Sequence, residues 1–189
     1  MARPLSPEKR NALLAAATQA VADLGVQAST ASIARGAGVA EGTLFTYFEN
    51  KDVLFQALYL HLKEDLGETI MPGYPYESDF RHRVEHIFQR YVSWGLENKA
   101  KRLAISRLSG SGQLQDATRA RGMERFQAVS RMMEDAVQSG VLVNAPIAFL
   151  YAIIERIADT TIEYMDSHPG DAQRHLALGF HAAWRAITP

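Results

Sequence analysis

Two short patterns place chemically active side chains at suggestive spacing. His82-Arg83-Val84-Glu85-His86 fits H-x-x-E-H, in which two histidines on one helical face bind zinc and a glutamate beside them activates water. On a helix His82 and His86 share a face opposite Phe80, Val84, Ile87 and Tyr91, so that face is expected to meet solvent. A catalytic zinc also needs a third ligand and a dry cavity, and the sequence places neither. Two solvated surface histidines are the preferred reading. Glu155 and Asp159 stand one turn apart on another helical segment. They could rim a site for a cation, pair with Arg156 or Arg185 across a dimer, or form a solvated acidic face, the last being the expected outcome. There is no cysteine, no G-x-S-x-G and no glycine-rich phosphate loop after a strand, so no enzyme, cofactor or metal is indicated.

A third group has hydrogen-bonding chemistry instead. Thr30 to Lys51 reads TASIARGAGVAEGTLFTYFENK. Two short helical segments flank Gly36-Ala37-Gly38, and such a pair joined by a glycine-containing turn is the helix-turn-helix pattern. Gly38 lets the turn reach positive φ. Leu44 and Phe48 are four apart and share the inward face. Thr43, Thr46 and Tyr47 then point away from the core, where a recognition helix meets DNA.

This stretch resembles the DNA-binding region of TetR-type transcriptional regulators. The resemblance rests on Ile33-Ala34, Ala37-Gly38-Val39, Gly42-Thr43-Leu44-Phe45, Tyr47-Phe48 and Lys51, with an amphipathic helix upstream ending at Gly25. Two positions depart from the pattern. Phe45 stands where tyrosine is frequent and lacks the hydroxyl, and Ala40 stands where serine is frequent and cannot cap the recognition helix. The candidate DNA-facing residues are Thr30, Arg35, Gly42, Thr43, Phe45, Thr46, Tyr47 and Lys51. The resemblance implies sequence-specific DNA binding, most often repression. It also implies a small molecule in the helical remainder that shifts the fourth helix, and a dimer closed by the last two helices.

The elements that must hold this stretch follow from the rest of the chain. Ser6 and Pro7 start a first helix, with Leu13, Ala17, Ala20, Val21 and Leu24 as its stripe. Ser29 or Thr30 caps the second helix, and Lys51-Asp52 begins a fourth with Leu54, Leu58, Leu62 and Leu66 on one face. Residues 67–77 read as a loop. A helix capped by Ser78 or Asp79 follows, then a shorter one near 100–108. One long helix is expected over 115–139, then one capped by Asn144, and a last over 171–187. No segment alternates with period two. The expected fold is all-α, with a helix-turn-helix domain over 1–50 and a helical ligand-binding and dimerisation domain over 51–189.

Composition sets bounds. The 189 residues are 47% hydrophobic and 22% charged, with net charge −1, which suits a folded soluble protein. No apolar run approaches the ~20 residues that span a bilayer. The start MARPLSPEKR carries no apolar signal segment, and a cytoplasmic location is expected. An isoelectric point near 6.6 runs against the strongly basic average of DNA-binding domains. The basic footprint must therefore be local: Arg3, Lys9, Arg10, Arg35 and Lys51.

The final helix is apolar on two faces. Leu176, Phe180, Ala183, Trp184 and Ile187 form one stripe, and Leu178 and Ala182 lie on the other side. A helix of that kind is usually buried twice, so a homodimer interface is expected at Leu178 and Ala182, with Glu155 and Asp159 in reach of it. Tyr91, Trp94, Met133 and Tyr151 are the candidate lining of a site for a small apolar or aromatic ligand. The DNA partner is expected to be a double-stranded operator with an inverted repeat.

Overall fold

Ser6 shows how local chemistry sets the first element. Its hydroxyl oxygen accepts the backbone N–H of Lys9 at 3.2 Å and Pro7 follows in the first turn, so α1 starts at Pro7 and runs over Pro7–Leu24. The computed structural model describes residues 5–189; Arg3, named above in the basic footprint, lies outside the described residues. The described residues contain helices and no strand, so the fold is all-α. After α1 come α2 (Thr30–Gly36), α3 (Glu41–Tyr47), α4 (Lys51–Ile70), α5 (Phe80–Glu97) and α6 (Lys99–Gly110). They are followed by α7 (Asp116–Gly122), α8 (Gln127–Gln138), α9 (Ile147–Ser167) and α10 (Ala172–Ile187).

The helices form two compact units. The first holds the chain through Asp65 together with Asn98–Met123; the second holds Leu66–Glu97 and Glu124–Pro189. In the first, α1 packs on α2 and α6, and α2 packs on α3. Its core includes Leu13, Leu14, Ala17, Val21, Ile33, Leu44, Phe48, Leu54, Phe55, Leu58 and Leu108, all nearly inaccessible. In the second, α9 and α10 form the largest contact, with α5 against both and α8 against α5 and α9. Val84, Phe88, Trp94, Met132, Met133, Leu150, Phe180 and Ala183 are buried there. Gly179 of α10 has Thr161 of α9 where a Cβ would stand, so only glycine permits that close approach.

Three local expectations are corrected. The long helix over 115–139 is broken: α7 ends at Gly122, a 3-10 turn covers Glu124–Phe126, and α8 starts at Gln127. A Cβ at Gly122 would lie 2.5 Å from the Tyr59 ring. The glycine serves tertiary packing, and it is a poor residue for continuing a helix. Asn144 does not cap α9; the helix begins after Pro146 with no side-chain cap. His86 does not point to solvent, because its Nε2 lies 2.9 Å from the Ile70 carbonyl oxygen and it is partly buried. Between the alternatives left open, Ser29 caps α2 by accepting from Ser32 N–H at 3.1 Å. Asp79 caps α5 by accepting from His82 N–H at 2.8 Å.

Candidate nucleic-acid interface

The turn between α2 and α3 sets the geometry of the site. Gly38 has φ of 68°, a left-handed value that costs other residues energy. Val39 N–H then bonds Ala34 O at 3.0 Å, and α3 begins at Glu41. Leu44 and Phe48 anchor it, at 0% and 2% exposure. Ala40 provides no side-chain cap, and Glu41 is the acidic residue of the first turn.

On the outer side of α3, Gly42 and Thr46 are exposed, Thr43 and Tyr47 are half-buried, and Phe45 is 44% exposed. Thr46 Oγ1 donates to Gly42 O at 3.1 Å, so its proton is used within the helix while its lone pairs still face outward. Tyr47 is fixed from outside: its phenol oxygen accepts the Ser6 backbone N–H at 3.0 Å. Thr30, half-buried at the start of α2, donates to Glu41 Oε1 at 2.6 Å. Sequence reasoning missed both contacts, since their partners are 41 and 11 residues away and lie on different elements.

The basic residues are distributed unevenly. Lys51 opens α4 with its Nζ 5.3 Å from the Phe55 ring centroid, and Arg10 lies 5.6 Å from the Phe48 ring. Asn50 caps α4, accepting Val53 N–H at 2.9 Å. Arg35 is exposed in the last turn of α2; it follows Thr30 by five residues, which turns it roughly 140° about the axis. The two therefore lie on different faces of α2. The first unit carries twelve Lys and Arg against eight Asp and Glu, a net +4, and the second eight against thirteen, a net −5. The near-neutral chain average conceals a basic unit that contains the helix-turn-helix.

In the second unit, Tyr91, Trp94, Met133 and Tyr151 fall on α5, α8 and α9. Trp94 and Met133 are buried at 2% and 1% exposure, and Tyr91 and Tyr151 are half-buried. The Tyr91 and Trp94 ring centroids are 6.2 Å apart, and Tyr151 OH lies 3.4 Å from Ser130 Oγ. Burial pushes the Tyr151 phenol above its ordinary range, with the Ser130 hydroxyl acting the other way. Asp159 is corrected from the solvated face expected for it: it is 8% exposed and accepts the Tyr91 hydroxyl at 3.2 Å. Glu155 is half-buried, while Leu178 is 55% exposed and Ala182 is also exposed.

His82 sits with its Nδ1 2.9 Å from both Asp79 carboxylate oxygens, and His86 turns to the Ile70 carbonyl. Each ring is engaged by a different protein group, so they do not converge on one point. Among the described residues no group of three or more His, Cys, Asp or Glu is arranged to hold a metal.

Taken together, the two-helix turn, its exposed hydroxyl face and the basic unit around it define a helix-turn-helix DNA-binding module. Residues 13–58 match the model of the bacterial regulatory proteins of the tetR family, so this stretch of the chain carries a tetR-type DNA-binding region. A tetR family transcription regulator from Shewanella sp. PV-4 superposes with a TM-score of 0.82 at 25% identity, covering 96% of this chain and 98% of that one. A TetR family regulator from Marinobacter aquaeolei VT8 shares the fold, with a TM-score of 0.80 at 23% identity over 95% of each chain. The HTH-type transcriptional regulator YhgD of Bacillus subtilis (strain 168) is 24% identical over 143 residues, 73% of this chain and 74% of that protein. Among the described residues no helix is long and apolar enough to cross a membrane.

Proposed function

We propose that this regulator is a homodimeric, cytoplasmic repressor released from an inverted-repeat operator by a small apolar or aromatic ligand. The observation that carries the DNA-binding part is the outer face of α3, where Gly42, Thr43, Phe45, Thr46 and Tyr47 stand opposite the buried anchors Leu44 and Phe48. Thr43 and Tyr47 donate to phosphates or base edges. Gly42 lets the backbone come close, and Phe45 lays an apolar ring against sugars or a thymine methyl. Thr46 accepts through its hydroxyl oxygen. Thr30 and Lys51 bind phosphates at the starts of their helices, and Arg35, on a separate face of α2, reaches a flanking phosphate.

Residues 1–50 are the DNA-reading part and 51–189 the regulatory part. The dimer forms through exposed Leu178 and Ala182 of α10, with Glu155 and Asp159 of α9 near its margin. The ligand is met by Tyr91, Trp94, Met133 and Tyr151. It releases DNA by binding more tightly to the arrangement that cannot span two half-sites. α4 contributes residues to both compact units, which supports its role as the coupling element.

Selection of bound duplexes from a random library tests this reading. The enriched sequence is an inverted repeat with half-site centres about 34–36 Å apart, or a multiple. No enrichment, or enrichment of a single unrepeated site, would contradict it. For the ligand, Met133→Trp should abolish ligand-dependent release while leaving operator affinity intact.

A further inference from the structure

Thr30 opens α2 and Glu41 opens α3, and the Thr30 hydroxyl donates to Glu41 Oε1 at 2.6 Å. A hydroxyl has one proton. The group expected to bind a phosphate has thus already given its proton to a carboxylate at the head of the recognition helix. Glu41 is exposed at the head of α3 and bonded to Thr30, so its negative charge lies beside the residue proposed to meet a phosphate. Against a phosphate backbone it opposes binding to every sequence.

We propose that Glu41 is a specificity-determining residue that works by exchange. On approach to DNA the Thr30 hydroxyl passes from Glu41 to a phosphate oxygen. The released carboxylate then needs a donor, and the major groove offers one to an acidic side chain in the cytosine N4 amino group. A duplex with cytosine at that place satisfies Glu41. A duplex without it leaves an unpaired carboxylate among phosphates and is rejected. The exchange costs non-specific affinity and adds discrimination, which is how a repulsive element produces specificity. This inference rests on the DNA-binding reading above.

The competing role for Glu41 is structural: an acid in the first turn of a helix whose Ala40 supplies no side-chain cap. Glu41→Gln keeps the shape and removes the charge. Its affinity is measured on the operator selected by the wild type and on a random-sequence duplex of equal length. The variant should bind the random duplex several-fold more tightly, and its operator-to-random ratio should fall about tenfold as the cytosine preference is lost. Thr30→Val should weaken both duplexes by a similar factor and keep the cytosine preference. A Glu41→Gln protein with unchanged ratio and unchanged base preference, altered only in melting temperature, assigns Glu41 to the helix terminus and overturns the inference. Loss confined to the operator in Thr30→Val also overturns it. A wild type that binds no duplex overturns the DNA-binding reading and this inference together, whereas a normal inverted repeat with an indifferent Glu41→Gln overturns this inference alone.

Discussion

The phenol oxygen of Tyr47 accepts the backbone N–H of Ser6 at 3.0 Å, joining the end of α3 to the residue that caps α1. Because the oxygen accepts there, its own proton remains to donate outward, and the ring is held in one position before DNA arrives. Ser6 also donates from Oγ to Glu8 at 2.6 Å, and that bond lowers the Glu8 carboxyl below its ordinary value. Tyr47→Phe should weaken operator binding by roughly 3–10-fold, the worth of about one hydrogen bond. The melting temperature should change little. Fluorescence anisotropy and thermal unfolding check both, and full affinity in the variant removes the hydroxyl from the interface.

Lys51 should act as a phosphate contact without sequence preference. Lys51→Ala should weaken operator and random duplexes alike and reduce the salt slope of log K by about one. An unchanged slope would confine the ammonium to its contact with the Phe55 ring.

Gly42 makes stability and binding move in opposite directions. It has no positive φ, and a Cβ added there would meet nothing within 4 Å. Gly42→Ala should therefore stabilise the protein by roughly 0.5–1 kcal/mol through helix propensity. The added methyl lies where the backbone is meant to approach DNA, so operator affinity should fall. A variant that is both more stable and equally tight would move the DNA away from Gly42.

The parts of this molecule written in local patterns were legible in the sequence. Leu44 and Phe48 at a spacing of four, Gly38 in a turn, and Ser6 before Pro7 depend on residues within a turn or two of each other. What stayed hidden depends on distant partners. A Cβ at Gly122, where α7 ends, would meet Tyr59, and Asp159 accepts from Tyr91 on another helix. The sequence marks Thr30 as DNA-facing without its Glu41 partner, because nothing in either helix alone announces a bond between their starts. The basic footprint is wider than the sequence order shows for a similar reason: the charges of α6 and α7 join the first unit only once the chain has folded.

The dimer proposal is tested on α10. Ala182→Arg places a charge in the seam proposed between copies, where burial without a partner is costly. Since Ala182 is exposed in the single chain, the variant should stay folded by circular dichroism. It should appear as a monomer by light scattering and lose operator binding. A variant that remains dimeric locates the interface elsewhere.

Tyr151 should affect stability in alkali. Its folded-state pKa is raised above the ordinary 10.0 by burial, so the folded protein holds the phenolic proton more tightly than the unfolded chain does. The stability tied to this group is fully present below about pH 10 and is lost as pH rises through the folded value. Tyr151→Phe has no proton to lose, and its melting temperature should fall less steeply in that range than that of the wild type. Equal slopes would mean that the phenol is solvated.

The outer face of α3 is proposed to read DNA sequence. The test is the ratio of operator to random-duplex affinity, at one fixed salt concentration, for the wild type and for a Thr43→Val, Tyr47→Phe double variant. The wild type should show a ratio of about 10³ or more. The double variant should retain its helical circular dichroism and its weak affinity for random duplex, with the ratio falling at least tenfold. A double variant that is folded and keeps the full ratio would mean that sequence is read by some other surface.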